Sequence, residues 1–457
     1  MHKSTAELES PYGDRFWRRS LERRDFLRMM SAATASLALP LGGCATHPVT
    51  GEKVLVGLSE AQEAAIDRQQ APHQYSRDFG PVQDARLNAY VAEVGGRLGK
   101  LSHRPQAPYS YRVVNANYVN AYTFPGGSMA CTRGIMLGLN DEAELAALLG
   151  HETGHVNARH AAQRAGQGML AGIALTGVSI AASSSERGAA WSPVIGIAGQ
   201  VGASALLSAY SRDNEREADA LGMEYMTRAG YPPGGMVGLT EMLVRESKGK
   251  PGLLDTMFAS HPMSAERLDN MRALAQGKYS AVASAPRLRE RYMDNTASLR
   301  ALQPAVEAQQ RGERLMAQKK LGEAEGEFAS ALKSAPRDYT GLCLMGKCQT
   351  AMRRHDKAKE YLSQARAVYP AEAQAMQLSG INAFGLREYG AALQAFDAYE
   401  RALPGDPNAA FFKGAALESM NDRNGAGREY RRYLGAVREG GQAQHAAARL
   451  QAWGMLK

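Results

Sequence analysis

Cysteine is scarce in this chain, with four in 457 residues. Leaving aside Cys44, which ends an N-terminal leader-like segment, there remain Cys131, Cys343 and Cys348. That odd number leaves at least one thiol free and excludes a disulfide framework. Cys343 and Cys348 could pair in an oxidising compartment, but their spacing within one helix suits a bridge poorly. Concentrated charge is lacking too. The formal net charge is +8, and residues 1–43 hold seven Lys/Arg and five Asp/Glu, leaving +6 beyond them. This mild excess suits an anionic membrane surface, whereas no basic tract points to nucleic acid, which is not expected as a partner. Charge is absent from residues 165–185 and 188–211, which are rich in Gly, Ala and Ser and each as long as a membrane span. Only Glu186-Arg187 separates them and Pro193 interrupts the second. They are expected to pack as lid or core helices, with membrane insertion as the competing reading.

What is present begins with His151-Glu152-Thr153-Gly154-His155, an HExxH motif. On a helix its histidines lie one turn apart on one face, where both imidazoles can grip one metal ion. Glu152 beside them is the expected general base of a zinc hydrolase. A helix is predicted over residues 141–164: Asp141 and Glu144 read as a capping box, no proline intervenes, and Leu145, Leu148, Leu149 and Val156 form an apolar stripe. Zinc needs a third protein ligand and an open position for catalysis. The candidate lies in Asn214-Glu215-Arg216-Glu217-Ala218-Asp219. Glu215 and Asp219 share a helical face, and Glu217 points nearly the opposite way. Glu215 is assigned as the third ligand of one Zn2+ per chain, and Asp219 as the carboxylate that orients a ligand histidine. The bland alternative is an exposed acidic helix among arginines.

HExxH followed by a helical ExxxD within Ser211 to Asp219 resembles the gluzincin peptidases related to the CAAX prenyl endopeptidases and the HtpX proteases. His47-Pro48-Val49-Thr50-Gly51 is similar to the segment that opens the periplasmic members. Asn120-Ala121-Tyr122-Thr123-Phe124-Pro125-Gly126-Gly127 resembles their strand and turn, with Tyr122 in place of the usual Phe. His261-Pro262 with Glu266-Arg267 resembles a further element, and the likeness runs from about residue 47 to 275. The resemblance implies that Asn120, Ala121 and Tyr122 belong to an edge strand beside the zinc, to which an extended substrate adds by backbone hydrogen bonds. It also implies that His261 and Arg267 donate to the oxyanion of the tetrahedral intermediate. A second reading seats His261 in the fourth zinc position, holding the enzyme off.

The N-terminus carries export signals. Arg23-Arg24-Asp25-Phe26-Leu27-Arg28 resembles a twin-arginine motif, and residues 29–41 form an apolar region too short to span a membrane. Leu41-Gly42-Gly43-Cys44 looks like a lipobox, so residues 1–43 are expected to be removed and Cys44 lipidated. Ala45 after the cysteine favours the outer membrane of a Gram-negative envelope.

The C-terminal third repeats. Gly312, Gly346, Gly380 and Gly414 are thirty-four residues apart, as are Ala324, Ala358, Ala392 and Ala426. Phe328, Leu362, Phe396 and Tyr430 follow, and Pro336, Pro370 and Pro404 close three units. This is the tetratricopeptide pattern, in which small residues let paired helices approach and large ones fill the gap. Of Tyr389, Phe411, Tyr430 and Tyr433, most are expected in the core rather than on a binding face.

The expected fold class is mainly α with a small β-sheet: a zincin-type metallopeptidase domain followed by an α-solenoid of tetratricopeptide repeats. The expected boundaries are a tether over 44–60, the peptidase over 61–275, a linker helix over 276–304, four repeats over 305–440 and a capping helix over 441–457. Anchor, gluzincin and repeats together resemble the periplasmic β-barrel assembly-enhancing protease group. That likeness implies quality control, with unfolded or misassembled polypeptides as substrates and outer-membrane assembly machinery docked on the repeats. A chaperone-like adaptor with a latent zinc site and a membrane-embedded HtpX-type protease are the alternatives.

Overall fold

The computed structural model describes residues 44–167, 210–249, 261–262 and 264–455. The leader and most of the two uncharged stretches within 165–211 lie outside the described residues. Among those described, no helix is long and apolar enough to cross a membrane. The chain divides into two compact units between Gln310 and Arg311.

In the first unit, β1 (Cys44–Thr46) and β2 (Lys53–Leu55) form an antiparallel pair. Their connection is closed by the imidazole of His47, whose Nδ1 accepts from the amides of Val49 (3.3 Å) and Thr50 (3.2 Å). Helix α1 (Glu60–Arg77) starts at a complete capping box made by Ser59 and Gln62. Helix α2 (Ala85–Lys100) buries Leu87, Val91, Val94 and Leu98, one apolar face at helical spacing. A three-stranded sheet follows, of β3 (Ser110–Val114), β4 (Ala121–Thr123) and β5 (Ser128–Thr132). Its order is β3-β5-β4, with β5 parallel to β3 and antiparallel to β4, so β4 is an edge. The turn between β4 and β5 is pinned by Asp67 of α1, which accepts from the amides of Gly126 and Ser128, both at 2.7 Å.

After the short α3 (Arg133–Gly138) comes α4 (Glu142–Asn157), every residue of which is buried. A helix covered on all sides needs no polar face, so the apolar stripe in its sequence marks only part of what it buries. Asp141 caps it as expected, accepting from the Glu144 amide, but only half of the predicted capping box forms. The Glu144 carboxylate accepts instead from the Asn140 amide at 2.7 Å and pairs with Arg287. Nor does the helix run on unbroken to Arg164. Ala158 and Arg159 form a turn, Arg159 has a φ of 56°, and residues 160–167 start a new helix. Arg159 is held there by Glu63 (3.0 Å) and by the carbonyl of Leu58 (2.7 Å).

Helices α5 (Arg212–Arg228), α6 (Gly234–Gly249) and α7 (Ala265–Gln276) complete the shell around α4. Residues 276–304, expected as one linker helix, form instead a 3-10 turn at Ser280–Val282 and two short helices, Arg289–Asn295 and Ala297–Ala301. Pro286 and a left-handed Leu288 (φ 53°) interrupt the run. Tyr292 and Leu299 are buried in the same core as α2 and α4.

Helix Gln303–Ala317 crosses the boundary and is followed by Leu321–Ser334; the second unit continues as the helix pairs Tyr339–Ala351 with His355–Val368, Ala373–Gly385 with Tyr389–Ala402, and Pro407–Ser419 with Arg423–Ala436. Gly441–Ala452 is the terminal helix. Each repeated glycine faces the large residue sixteen positions on. A Cβ on Gly346 would stand 2.7 Å from Leu362, and one on Gly380 or Gly414 the same distance from the ring of Phe396 or Tyr430. The turn inside each pair carries a left-handed residue in one register: Lys319, Arg353, Arg387 and Asn421, with φ between 58° and 64°. Phe411, Tyr430 and Tyr433 are core, and Tyr389 is half-buried against Phe384. Cys131, Cys343 and Cys348 are free and buried.

Gly380→Ala should overpack the third pair, because Phe396 is fully buried and stacked on Phe412 at 4.9 Å. The expected cost is about 1–3 kcal/mol, read as faster amide exchange across residues 373–402. Unchanged exchange would show that the ring yields freely.

Candidate metal centre

Two helices reach backbone contact to build the site. Gly150 and Gly154 precede the two motif histidines by one residue each, and both face α5. A Cβ on Gly150 would lie 2.9 Å from the carbonyl of Gly222, and one on Gly154 would lie 2.9 Å from that of Ala218. Small residues four apart on both helices therefore let α4 and α5 close. That closure sets Glu215 of α5 beside His151 and His155 of α4.

Four side chains converge there: His151, His155, Glu215 and His261, all buried, with one donor atom of each within 4.8 Å of the others. His151 Nε2 and His155 Nε2 are 3.1 Å apart, and His151 Nε2 is 3.4 Å from His261 Nδ1. Glu215 Oε1 lies 3.4 Å from His155 Nε2 and 3.0 Å from His261 Nδ1. A zinc tetrahedron with bonds of about 2.0–2.1 Å has edges of about 3.3 Å. These separations, and a donor set of imidazoles with one carboxylate, fit such an ion.

The supporting carboxylates are placed by Arg267. Asp219 Oδ1 accepts from His151 Nδ1 at 2.9 Å, which puts the proton on Nδ1 and the lone pair on Nε2. Arg267 donates to both oxygens of Asp219 (2.7 and 2.8 Å) and to the Pro262 carbonyl (2.9 Å), and lies 2.7 Å from Glu215 Oε2. Its guanidinium thus spans two carboxylates and the loop that carries His261. Burial alone would raise the pKa of Glu215, but the charges of His261 and His151 outweigh it and hold the carboxylate well below its usual range. Burial drives His155 well below the ordinary histidine range. Glu152 is fully buried, and burial raises its pKa above the usual carboxylate value. Both of its oxygens lack a hydrogen-bond partner among the described residues, while His261 Nε2 lies 3.7 Å from Oε1.

Strand β4 packs against α4, and Thr123 and Phe124 at its end line a small cavity with His155. The Asn120 carbonyl accepts from Thr132 and the Phe124 amide donates to Ser128, so alternate residues of β4 face β5. The main-chain groups of Ala121 and Thr123 consequently face away from β5, on the unpaired side of the strand, where both residues are buried. Tyr122 donates its hydroxyl to Asp78 at 2.6 Å. Cys44 is the first residue of β1.

Other contacts were not foreseen. Tyr210 stacks on His155 at 3.8 Å, with Arg164 over its other surroundings at 4.2 Å from the ring centre. His160 Nδ1 lies 2.9 Å from His155 Nδ1, and Glu217 Oε2 lies 3.1 Å from His160 Nε2. Glu217 is outside the four-residue cluster, as its helical phase predicts. The signal for close helix contact was legible in Gly150 and Gly154; that for His160 was hidden by the turn at Arg159.

Fold and centre together define a metallopeptidase of the zincin type, followed by helical repeats. The chain belongs to peptidase family M48, whose sequence profile matches residues 85–275. It is 31% identical over 215 residues to metalloprotease LoiP of Escherichia coli K12, covering 47% of this chain and 81% of that protein. Metalloprotease YcaL of the same strain is 29% identical over 267 residues, 55% of this chain and 98% of its own length. The beta-barrel assembly-enhancing protease of Yersinia pestis is 29% identical over 228 residues, 48% of this chain and 46% of that protein. The match to the Yersinia protein therefore spans about half of its length.

Gly154→Ala should force α4 and α5 apart, since backbone cannot yield as a side-chain tip can. Zinc affinity of the full chain, measured by chelator competition, is expected to fall at least about tenfold. Gly96→Ala, whose Cβ meets nothing within 4 Å, should leave it unchanged. Equal affinities for the two variants would dissociate helix contact from ligand geometry.

Proposed function

We propose that this chain is a zinc-dependent endopeptidase of the bacterial cell envelope that cuts misfolded or stalled outer-membrane proteins. The observation that carries the reading is Glu152: a buried carboxylate, unpartnered among the described residues, beside a cluster able to hold a metal. A structural metal site has no use for such a group. His151, His155 and Glu215 would hold the ion, with Asp219 orienting His151. When bound, zinc supplies Lewis acidity, making water nucleophilic near neutral pH and polarising a carbonyl. Glu152 takes a proton from the attacking water on a carboxylate oxygen and returns it to the leaving amine. Ala121 and Thr123 of the edge strand would pair with the main chain of an extended substrate. Such pairing favours unfolded polypeptide over any particular side chain.

His261 has a second reading that the geometry favours. Its Nδ1 sits among the other donors, where a fourth ligand would close the open position that catalysis needs. Arg267 holds the carbonyl of the adjoining Pro262 at 2.9 Å. In the resting enzyme His261 then blocks the site, and its withdrawal admits substrate and lets it serve the oxyanion.

The names of the relatives, the lipobox at Cys44 and the repeats support the cellular part of the reading. The mature chain would be anchored to the outer membrane by a lipid on Cys44. Its repeats would dock a protein partner of the assembly machinery.

The purified chain is expected to hydrolyse casein, with cleavage lost in Glu152→Gln and in a chelated sample. Persistence of cleavage in Glu152→Gln would refute the assignment of the base. His261→Ala should raise the rate several-fold if blockade dominates in the resting enzyme, and abolish it if oxyanion binding does. An unchanged rate would eliminate both roles.

A further inference from the structure

We propose that His160 and Glu217 form a positioning chain that fixes the tautomer and ring orientation of His155, separate from the Asp219–Arg267 arm that fixes His151. The proposal rests on the metal reading of the cluster. It starts from a contact that helix geometry forbids. In an unbroken helix, residue 160 would lie about 140° around the axis from His155, at 100° per residue. The turn at Ala158 and Arg159 cancels that rotation and returns His160 to the metal side. The turn is itself built: Arg159 sits at a φ of 56°, with its guanidinium held by Glu63 at 3.0 Å and by the Leu58 carbonyl at 2.7 Å.

Proton positions along the chain follow from the acceptors at its outer end. Glu217 accepts from His160 Nε2 at 3.1 Å, so that nitrogen carries a proton. His160 Nδ1 is then a lone pair, and it faces His155 Nδ1 at 2.9 Å. His155 must donate from Nδ1, which leaves its Nε2 lone pair directed at the cluster. The other oxygen of Glu217 lies 3.5 Å from His47 Nε2. His47 Nδ1 already accepts from two backbone amides, so its proton is on Nε2 and also points at Glu217. Every ring in the chain has its tautomer set by a neighbour. Tyr210, stacked on His155 at 3.8 Å, restricts the remaining rotation of that ring.

Zinc and Co2+ binding to the full chain would test this, by chelator competition and by the visible absorption of the Co2+ form. His160→Leu removes the acceptor for His155 and should weaken zinc about 10–100-fold, with a shifted Co2+ band. His160→Gln supplies an amide oxygen to His155 and an amide N–H to Glu217, and should recover most of the affinity. Glu217→Ala, at a side chain one-third exposed, tests the same chain with little risk to folding and should weaken zinc several-fold. Melting of the metal-free variants should match that of the parent. Parental affinity and spectrum in His160→Leu and Glu217→Ala would overturn the proposal, as would equal losses in His160→Leu and His160→Gln. Failure of the parent chain itself to bind zinc or Co2+ would overturn the metal reading and this inference with it.

Discussion

The contact between α4 and α5 sets the terms for everything else in the peptidase unit. Gly150 and Gly154 on one helix, and Ala218 and Gly222 on the other, remove the side chains that normally keep helix axes 8–10 Å apart. A carboxylate on one helix can then share a metal with two imidazoles on the other. The same closeness excludes water and so raises the cost of every charge it encloses. Arg267 and the buried rim of α4 answer that cost: Asp219 and Glu215 share one guanidinium, and the start of α4 is tied down by Arg287 and Arg291. Only Glu152 is left without a hydrogen bond among these buried carboxylates.

How much of this was legible depended on whether the information was local. HExxH and ExxxD state their own geometry, because helix period alone places i and i+4 on one face. The repeats were legible for a related reason: each glycine and its large partner recur at one spacing, and the structure shows ring against glycine at that register. Glycines before both histidines are a local mark of a close helix neighbour that the motif reading passes over. What failed was continuity. Arg159 leaves the helical region through contacts with Glu63 and Leu58, about a hundred residues earlier in the chain, and no local pattern announces it. His160 was therefore not among the residues assigned to the site. Glu144 satisfied the Asn140 amide rather than the N-cap because Arg287, far along the chain, draws its carboxylate. The left-handed residues at Lys319, Arg353 and Arg387 are lysine and arginine, types with no turn signature, so their thirty-four-residue register shows only in the backbone.

The sheet explains what sort of polypeptide such a site would accept. Asp67 clamps the turn after β4, and Asp78 accepts from both Tyr118 and Tyr122, so both ends of the strand are fixed to α1 or its C-terminal cap. Its residues are buried, and on the side away from β5 its main chain has no strand partner among the described residues. A preformed edge spares an incoming chain the entropy of ordering a partner, and it reads extension rather than sequence. An unpaired edge is ordinarily a hazard that proteins blunt, and burial of all three residues of β4 does so here. Under the proposed function it would serve recognition, and the lack of side-chain discrimination would have to be offset elsewhere. The seat of His261 among the metal donors would supply one such restraint, acting on the chemistry. Docking through the repeats would supply the other, acting on which chains come near. An enzyme with so permissive an edge needs both, because closing the metal site alone would delay cleavage without choosing its target.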